Sequence, residues 1–304
     1  MRRADLGVTK SVTKRVHFPR SQGQLRLGGY RRYSRLMIGA SIVLAVVTMA
    51  VLAGSFAPND PNRVNLVARL TPPFWEEGGN LRYLLGTDQL GRDLLSRIIY
   101  GARVSIMVGI LSVVTGGTLG TLLGLIAGYY GGRLDSLIMR LTDIQMSMPF
   151  MLMALFVVAL LGPSLTNIVV VFIITAWFIY ARLARASTLS VRENQYIEAA
   201  RALGASDVRV LRRHVLPSLV SPLVVIASFE IARIITTEAA LGFLGLGVPP
   251  PDPSWGSMLS DGREYIQDAW WIATLPGLAL MTTVLGINIV GDSLRDILDP
   301  RLKD

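Results

Sequence analysis

The chain has 304 residues, of which 51% are hydrophobic and 17% charged, and its mean hydropathy of +0.48 is higher than a soluble domain requires. It contains 0 cysteines and 2 histidines, His17 and His214, in different segments, which excludes a disulfide framework and an iron–sulfur cluster and argues against a metal centre. The net charge of +9 does not indicate a nucleic-acid partner, because the arginines flank apolar segments instead of forming one basic face.

Residues 1–35 are strongly basic and precede the first apolar run. Against one acid, Asp5, they carry Arg2, Arg3, Lys10, Lys14, Arg15, Arg20, Arg26, Arg31, Arg32 and Arg35. This bias predicts a cytoplasmic N-terminal tail.

Residues 36–56 are apolar enough to cross a bilayer core of about 30 Å, and we interpret them as an uncleaved first transmembrane helix. A cleavable signal peptide is the alternative, but the charged leader is too long and the apolar run too extended for one.

Residues 57–103 form a predicted outer segment, in which Gly86 to Asp93 has the composition of a polar turn that enters a helix. The second predicted span, 104–130, opens a transmembrane core that covers 104–291. In this span glycines recur every four residues and leave a groove along one helix face, at Gly116, Gly120, Gly124 and Gly128. The groove predicts dense packing against another helix, and a contact along which helices slide is the alternative.

The remaining spans are long apolar runs, predicted at 149–161 with an extension toward Ile144, at 165–180, at 222–244 and at 270–290. The short turn Gly162, Pro163 and Ser164 indicates that the third and fourth spans form an antiparallel hairpin. Trp270 and Trp271 are typical interfacial anchors of the sixth span. The predicted fold is therefore all-α, a polytopic membrane protein with six transmembrane helices, both termini on one side, and a C-terminal tail at 292–304.

Arginines in the loops predict the orientation of these spans. They lie between spans two and three and between spans four and five, at Arg133, Arg140, Arg182, Arg185, Arg192, Arg201, Arg209, Arg212 and Arg213. By the excess of positive charge on the inner side, both loops and both termini are predicted to be cytoplasmic. The segments 57–103 and 245–269 then face outward.

The loop 181–221 has a helix–turn–helix pattern. Glu198, Ala199 and Ala200 favour a helix, Gly204 stops or bends it, and Asp207 begins a second helix that Pro217 is expected to end. Such a rigid protrusion suits docking into a cleft of a soluble partner. From spacing alone, a solvated helical loop remains the alternative.

Charged residues interrupt the fifth span, which is costly near the centre of a bilayer and requires protein or water around them. Glu230 and Arg233 are spaced to pair on one helix face, with Thr236, Thr237 and Glu238 nearby. A structural ion pair within the helix bundle is one interpretation, and a substrate path lined by Glu230, Arg233, Thr237 and Glu238 is the other. After this span, Pro249, Pro250 and Pro251 are expected to stop the helix and extend the chain.

The pattern Glu198-Ala199-Ala200, three residues, Gly204, nine residues and a terminal Leu216-Pro217 resembles the cytoplasmic signature of permeases of bacterial ABC importers, although His214 replaces an aliphatic residue of the consensus. Further motifs resemble the C-type subunit of the dipeptide, oligopeptide and nickel permeases. These motifs are Gly86-Thr87-Asp88, Gly91-Arg92-Asp93, Gly242 to Val248 followed by the three prolines, Ser254-Trp255-Gly256, Gly291-Asp292, Leu294-Arg295-Asp296 and Leu298-Asp299-Pro300-Arg301. Only the first 30 or so residues lie outside the resemblance.

The resemblance implies a type I ABC importer permease fold in the bacterial cytoplasmic membrane, with 181–221 as the loop that couples to the ATPase. It implies ATPase contact by Glu198, Ala199, Ala200, Arg201, Gly204, Asp207, Leu216 and Pro217, with Glu198 bracing the loop through a local arginine. It also implies a binding-protein docking or gate surface with Asp88, Arg92, Asp93 and Trp255, for which plain loop structure is the alternative. The implied partners are a second permease subunit, two ATPase subunits, an extracytoplasmic solute-binding protein and membrane lipid.

The implied function is ATP-driven import of di- or oligopeptides, with nickel chelates, glutathione or haem as alternative cargoes. No glycine-rich loop ending in Gly-Lys-Ser or Gly-Lys-Thr is present, so ATP and magnesium are expected on partner subunits, and this chain is expected to hold no cofactor and to be no enzyme. A proton-coupled secondary transporter that uses Glu230 or Glu238 is the main rival, but it would predict an inverted repeat, and none is evident. A membrane scaffold without transport and an intramembrane enzyme are weaker rivals.

Overall fold

A computed structural model describes the backbone of residues 22–298 and the side chains of residues 33–298. In this range the chain is helical without β-strands, and its α-helices are α1 (Gln22–Val51), α2 (Ala53–Phe56), α3 (Leu94–Tyr130), α4 (Gly132–Ser147), α5 (Phe150–Leu161), α6 (Leu165–Arg192), α7 (Gln195–Ala202), α8 (Asp207–Val210), α9 (Leu216–Phe243), α10 (Trp255–Arg263) and α11 (Trp271–Leu298). Most of the predicted N-terminal tail and residues 299–304 lie outside the described part.

Five helical runs of the described part are long and apolar enough to cross a membrane: Tyr33–Val51, Leu94–Tyr130, Leu165–Arg192, Asp207–Phe243 and Trp271–Leu298. A sixth crossing exists if α4 and α5, which meet at 87°, count as one span. The fold class predicted from the sequence is therefore the one observed, with the third span as its irregular member.

The third span is not a straight helix extended toward Ile144. The 12 residues of α5 cover only about 18 Å, less than the bilayer core of about 30 Å. Met148 is extended, with φ −88° and ψ 120°, because Pro149 disfavours a helical conformation in the residue before it. The preceding helix α4 bends away, and ion pairs of Asp135 with Arg185 and of Asp143 with Arg182 hold it against α6.

Several helices extend beyond the predicted spans. Helix α3 begins at Leu94, inside the predicted outer segment, because the Asp93 side chain caps it by accepting a hydrogen bond from the Ser96 amide. Helix α6 continues to Arg192 and α11 to Leu298. The arginines that end an apolar run mark where a helix leaves the hydrocarbon, and they do not stop the helix itself.

Pro217 does not end a helix, contrary to the expectation from the sequence. Helix α8, a π-helical turn (Leu211–Val215) and α9 form one run from Asp207 to Phe243. Pro217 lies in the first turn of α9, and the wide π turn before it accommodates a ring that lacks an amide donor. At the other end, α9 stops at a Schellman motif around Gly245 (φ +79°), where the Leu246 amide donates to the Leu241 carbonyl, well before the three prolines.

The four spaced glycines of α3 pack against α6. A Cβ atom at Gly120 would lie 2.0 Å from the carbonyl oxygen of Trp177, and one at Gly124 would lie 2.2 Å from that of Ala181. The helix backbones therefore approach as closely as helices can. The dense packing predicted from the glycine spacing is present, and α3 and α6 form a tightly joined pair.

The hairpin predicted around Gly162 is also present. Gly162 has φ +78°, and the Ser164 side chain caps α6 by accepting a hydrogen bond from the Asn167 amide. The rings of Phe150, at the start of α5, and Phe172, one third along α6, stack at 5.3 Å. The two helices are therefore antiparallel neighbours.

Candidate functional site

The first candidate region is the α7–α8 segment, residues 193–215. Helix α7 ends at Gly204 (φ +85°) in a second Schellman motif, with the Ala205 amide donating to the Ala200 carbonyl at 3.0 Å. Ile197 is the one buried residue of α7, and it packs in an apolar cluster with Leu125, Tyr129, Ala184, Val210, Val215 and Leu219. Helix α7 therefore packs on the bundle mainly through this one side chain.

The opposite surface of the α7–α8 segment is uncovered and partly apolar. Leu203, at the tip of the turn, is 89% exposed, and Tyr196 and Val208 are also exposed. Glu198, Ala199 and Arg201 of α7 are exposed as well. In the described part of the chain no ion pair joins Glu198 to an arginine, so the bracing contact expected for Glu198 is not formed.

Tyr129, at the end of α3, makes the polar contacts that hold the α7–α8 segment. Its hydroxyl donates to Asp207 Oδ1 at 2.6 Å, and the Arg201 guanidinium carbon lies 5.1 Å from the centre of its ring. Arg192, at the end of α6, donates to the Tyr129 carbonyl at 2.8 Å. Sequence reasoning missed Tyr129, since 78 residues separate it from Asp207 and no local motif marks it.

The second candidate region is the charged pair of α9. Glu230 is buried and accepts hydrogen bonds from Arg233, at 3.0 Å from Nε and 2.6 Å from Nη2. The pairing predicted from the spacing is present. The side chain of Arg233 is 39% exposed, on a face of α9 that no described segment covers. The Thr237 hydroxyl lies beside it but donates to its own helix, at the Arg233 carbonyl.

Glu238 does not share that face. It is fully buried between α9 and α3, where Oε2 accepts a hydrogen bond from Ser105 Oγ at 3.0 Å, and Oε1 has no hydrogen-bond partner among the described residues. The structure therefore joins Glu230 and Arg233 on one surface and separates Glu238 from the path predicted to contain all of them.

The third candidate region is the α2–α3 segment, residues 57–93, with Trp255 of α10, and a docking or gate role for it stays a prediction. Asp88, Arg92, Asp93 and Trp255, predicted as a docking or gate surface, are all buried. Asp88 and Asp93 have partners close by in sequence, whereas Arg92 and Trp255 also contact residues that are distant in sequence. Their side chains support this segment from inside and do not form its surface.

An ion-pair network holds this support together. Asp88 pairs with Arg92 Nε at 2.6 Å and with Arg97 Nε at 3.5 Å, and Arg92 reaches Asp261 of α10 at 3.6 Å. Two tryptophans add hydrogen bonds to backbone carbonyls. Trp255 Nε1 donates to the Ile98 carbonyl at 3.0 Å, and Trp271 Nε1 donates to the Thr87 carbonyl at 3.1 Å. The α2–α3 segment is therefore fixed to α3, α10 and α11.

The surface of the α2–α3 segment is formed by other residues. Val67 is almost fully exposed, and Leu66 and Leu81 are more than half exposed. These apolar side chains have no cover in the described part of the chain. They are the available contact surface on this side of the molecule.

Comparison with known proteins identifies relatives along most of the chain. The profile of the family described as binding-protein-dependent transport system inner membrane component matches residues 120–304. The di/tripeptide transport system permease protein DppC of Pseudomonas aeruginosa is 48% identical over 266 residues, which cover 88% of each chain. The dipeptide transport system permease proteins of Haemophilus influenzae and Escherichia coli are 44% and 45% identical over 88% and 90% of this chain, and over 90% and 91% of their own.

The fold also resembles a solved structure. A chain of the MetNI methionine ABC transporter in an inward-facing conformation superposes with a TM-score of 0.55 over 68% of this chain and 98% of that chain, at 20% identity. At that identity the similarity concerns the fold alone. The fold is that of a type I ABC importer permease.

Proposed function

The chain belongs to the family of inner membrane components of binding-protein-dependent transport systems, and from this premise we propose that it is a permease subunit of an ABC importer for di- and tripeptides. One observation carries the proposal. Relatives named for dipeptide or di/tripeptide transport are 44–48% identical over 88–91% of both chains, so the likeness covers the whole membrane architecture. The chain is a multi-pass inner membrane protein.

ATP is hydrolysed, in this proposal, by separate ATPase subunits that bind the nucleotide and magnesium. The sequence has no phosphate-binding loop of its own. The exposed side of the α7–α8 segment, with Leu203 at its tip, is the docking surface for an ATPase. An exposed apolar side chain at the tip of a protruding helix–turn–helix suits binding in a hydrophobic groove of a soluble partner.

The uncovered face of α9 lines the path, together with a second, related permease subunit. A guanidinium at membrane depth cannot face lipid without a large cost, so Arg233 faces water or protein in the assembled transporter. Glu230 neutralises most of its charge, which leaves a polar but nearly neutral lining. Such a lining passes zwitterionic peptides without holding either charged end tightly.

Import proceeds by alternating access between two states of the bundle. Closure of the ATPases on ATP displaces the α7–α8 segment and opens the path outward, where a solute-binding protein delivers peptide, and hydrolysis resets the inward state. The ligands act through their different affinities for the two states. In this orientation both termini and the α7–α8 segment are cytoplasmic, and the α2–α3 segment faces outward.

The orientation has a direct test, because the chain contains 0 cysteines and single cysteines can be introduced without background. An impermeant maleimide added to spheroplasts is expected to label Val67→Cys and not Leu203→Cys. Permeabilisation with detergent is expected to expose both positions. Labelling of Leu203→Cys in intact spheroplasts would overturn the proposed topology.

Function is tested by purifying the assembled complex from native membranes, identifying its subunits by mass spectrometry, and reconstituting it in liposomes. Uptake of radiolabelled alanyl-alanine is expected to require ATP and the solute-binding protein, and unlabelled trialanine is expected to compete. Competition by nickel–histidine, glutathione or haem, with none by peptides, would reassign the cargo. Uptake that needs a proton gradient and no ATP would replace the importer by a secondary transporter.

A further inference from the structure

Tyr129, near the end of α3, makes polar contacts to the α7–α8 segment in addition to the apolar cluster that joins them. Tyr129 is 5% exposed, although it lies in the last turn of α3, two residues before the C-cap Gly131. It contacts Arg201 on one side of the turn at Gly204 and Asp207 on the other side. One aromatic ring thus holds both arms of the helix–turn–helix.

The other attachments of this segment are apolar or covalent: Ile197, Val210 and Val215 are buried in one apolar cluster, and α8 continues through the π turn into α9. Ile197 is the only residue of the fully described helix α7 that is buried, and its contacts are apolar and not directional. The hydrogen bond from the Tyr129 hydroxyl to Asp207 is directional, and it ends on an ionised acceptor, which makes it stronger than a neutral one. The Tyr129–Asp207 bond therefore adds a directional contact to an attachment that is otherwise apolar or covalent.

Tyr129 is in turn fixed to both members of the α3–α6 pair. It belongs to α3, and its carbonyl accepts a hydrogen bond from Arg192 at the end of α6. Earlier in α3, at Gly120 and Gly124, the two helices approach so closely that a Cβ atom would clash with the α6 backbone. A displacement applied to the α7–α8 segment at Tyr129 would reach two membrane helices as one body.

We propose that Tyr129 is a positioning residue for energy coupling: its bond to Asp207 and its stacking with Arg201 transmit the movement of the docked α7–α8 segment into the α3–α6 pair. The proposal rests on the proposed function, in which that segment docks on an ATPase. Tyr129 lies outside the loop 181–221 that contains the family signature. Its loss is expected to lower peptide uptake per ATP hydrolysed while the complex still assembles.

The test uses the complete transporter in liposomes and compares Tyr129→Phe with Tyr130→Phe. Tyr130 is the neighbouring phenol, about half exposed, and no hydrogen bond reaches its hydroxyl among the described residues, so its variant controls for loss of a hydroxyl at this end of α3. The measured quantity is alanyl-alanine taken up per ATP hydrolysed. Thermal stability and subunit composition of each complex are measured alongside.

A hydrogen bond to an ionised acceptor changes an equilibrium by on the order of tenfold, so Tyr129→Phe is expected to lower uptake per ATP by roughly threefold to tenfold. Basal ATPase activity and assembly are expected to stay at the level of Tyr130→Phe. Asp207→Asn, whose amide oxygen still accepts the hydroxyl, is expected to restore most of the ratio that Asp207→Ala loses. The double variant Tyr129→Phe with Asp207→Ala is expected to be no worse than the poorer single variant.

Hydrogen–deuterium exchange supplies a second measurement that does not depend on transport. The amides of α7 are expected to exchange faster in Tyr129→Phe than in Tyr130→Phe, with those of Gly116 to Gly124 unchanged. Equal uptake per ATP in the two variants would overturn the proposal, whether or not exchange differs. A wild-type complex that takes up no peptide would instead contradict the proposed function.

Discussion

The contact between α3 and α6 makes a quantitative prediction at Gly120. A Cβ atom there would lie 2.0 Å from the carbonyl oxygen and 2.8 Å from the carbonyl carbon of Trp177, and backbone atoms cannot rotate away. Gly120→Ala must therefore separate the helices by roughly 1–1.5 Å along the seam. Overpacking of this kind costs typically 1–3 kcal/mol, here at the upper end, and alanine returns up to about 1 kcal/mol in helix propensity, so we expect a net loss of about 2 kcal/mol.

Gly117→Ala is the matched control, three residues away on the same helix. Its Cβ would lie 3.2 Å from the Tyr180 ring, a side chain that can shift by a few tenths of an ångström. We therefore expect a stability close to that of the wild type, or higher by up to about 1 kcal/mol.

The assay measures the thermal midpoint of the purified complex in detergent, and fluorescence-detected gel filtration monitors the loss of the intact complex on heating. Gly120→Ala is expected to melt lower by roughly 4 °C or more, and Gly117→Ala to melt at or above the wild-type midpoint. If the two variants melt alike, the backbones of α3 and α6 are not in contact at Gly120. The α3–α6 pair would then not move as one body.

Three further predictions concern the candidate site. Gly204→Ala meets no atom within 4 Å but must adopt φ +85°, which costs about 1–2 kcal/mol, so peptide uptake in liposomes should fall while the amount of protein inserted in membranes stays the same. Arg233→Ala leaves Glu230 buried without its partner and should cost about 2 kcal/mol, less than for a fully buried pair, whereas the variant with both residues changed to alanine should melt at a higher temperature than either single one. Asp88→Asn removes the anion between two buried arginines and should cost about 3 kcal/mol, and the loss should be similar at low and high salt because bulk ions screen buried charges weakly. A large dependence of that loss on salt would mean that water reaches this network.

Much of the architecture follows from local pattern. The length of each apolar run predicts the membrane helices, because a bilayer core requires about 20 apolar residues in a helix and nothing in the rest of the chain can change that requirement. The glycine spacing predicts a close helix contact on α3, and Gly204 predicts the turn after α7, since both depend on what one residue allows its own backbone to do. The signature around Glu198 and Gly204 likewise identifies the family from a short stretch of sequence.

The ends of the helices were predicted less well, and the third span shows why. Composition indicates that residues near Ile144 are apolar enough to continue the span, but the bend of 87° at Met148 and Pro149 depends on backbone conformation and on the ion pairs that hold α4 against α6. At Pro217 the error is the opposite one: the sequence predicted a helix end where the helix continues. A π-helical turn before it lets a helix continue through a residue that ordinarily ends one.

Sequence by itself determined that this chain is a bundle of membrane helices with a helix–turn–helix between two of them, because hydrophobic length and backbone freedom are properties of neighbouring residues. Only the tertiary structure decided which polar residues are buried and what they hold. Asp88 and Trp255 were predicted to lie on a surface but are buried. Tyr129 belongs to no sequence motif, yet its hydroxyl bonds Asp207, which is 78 residues away in the chain. Contacts between residues so far apart arise when helices pack, and packing is a property of the whole chain.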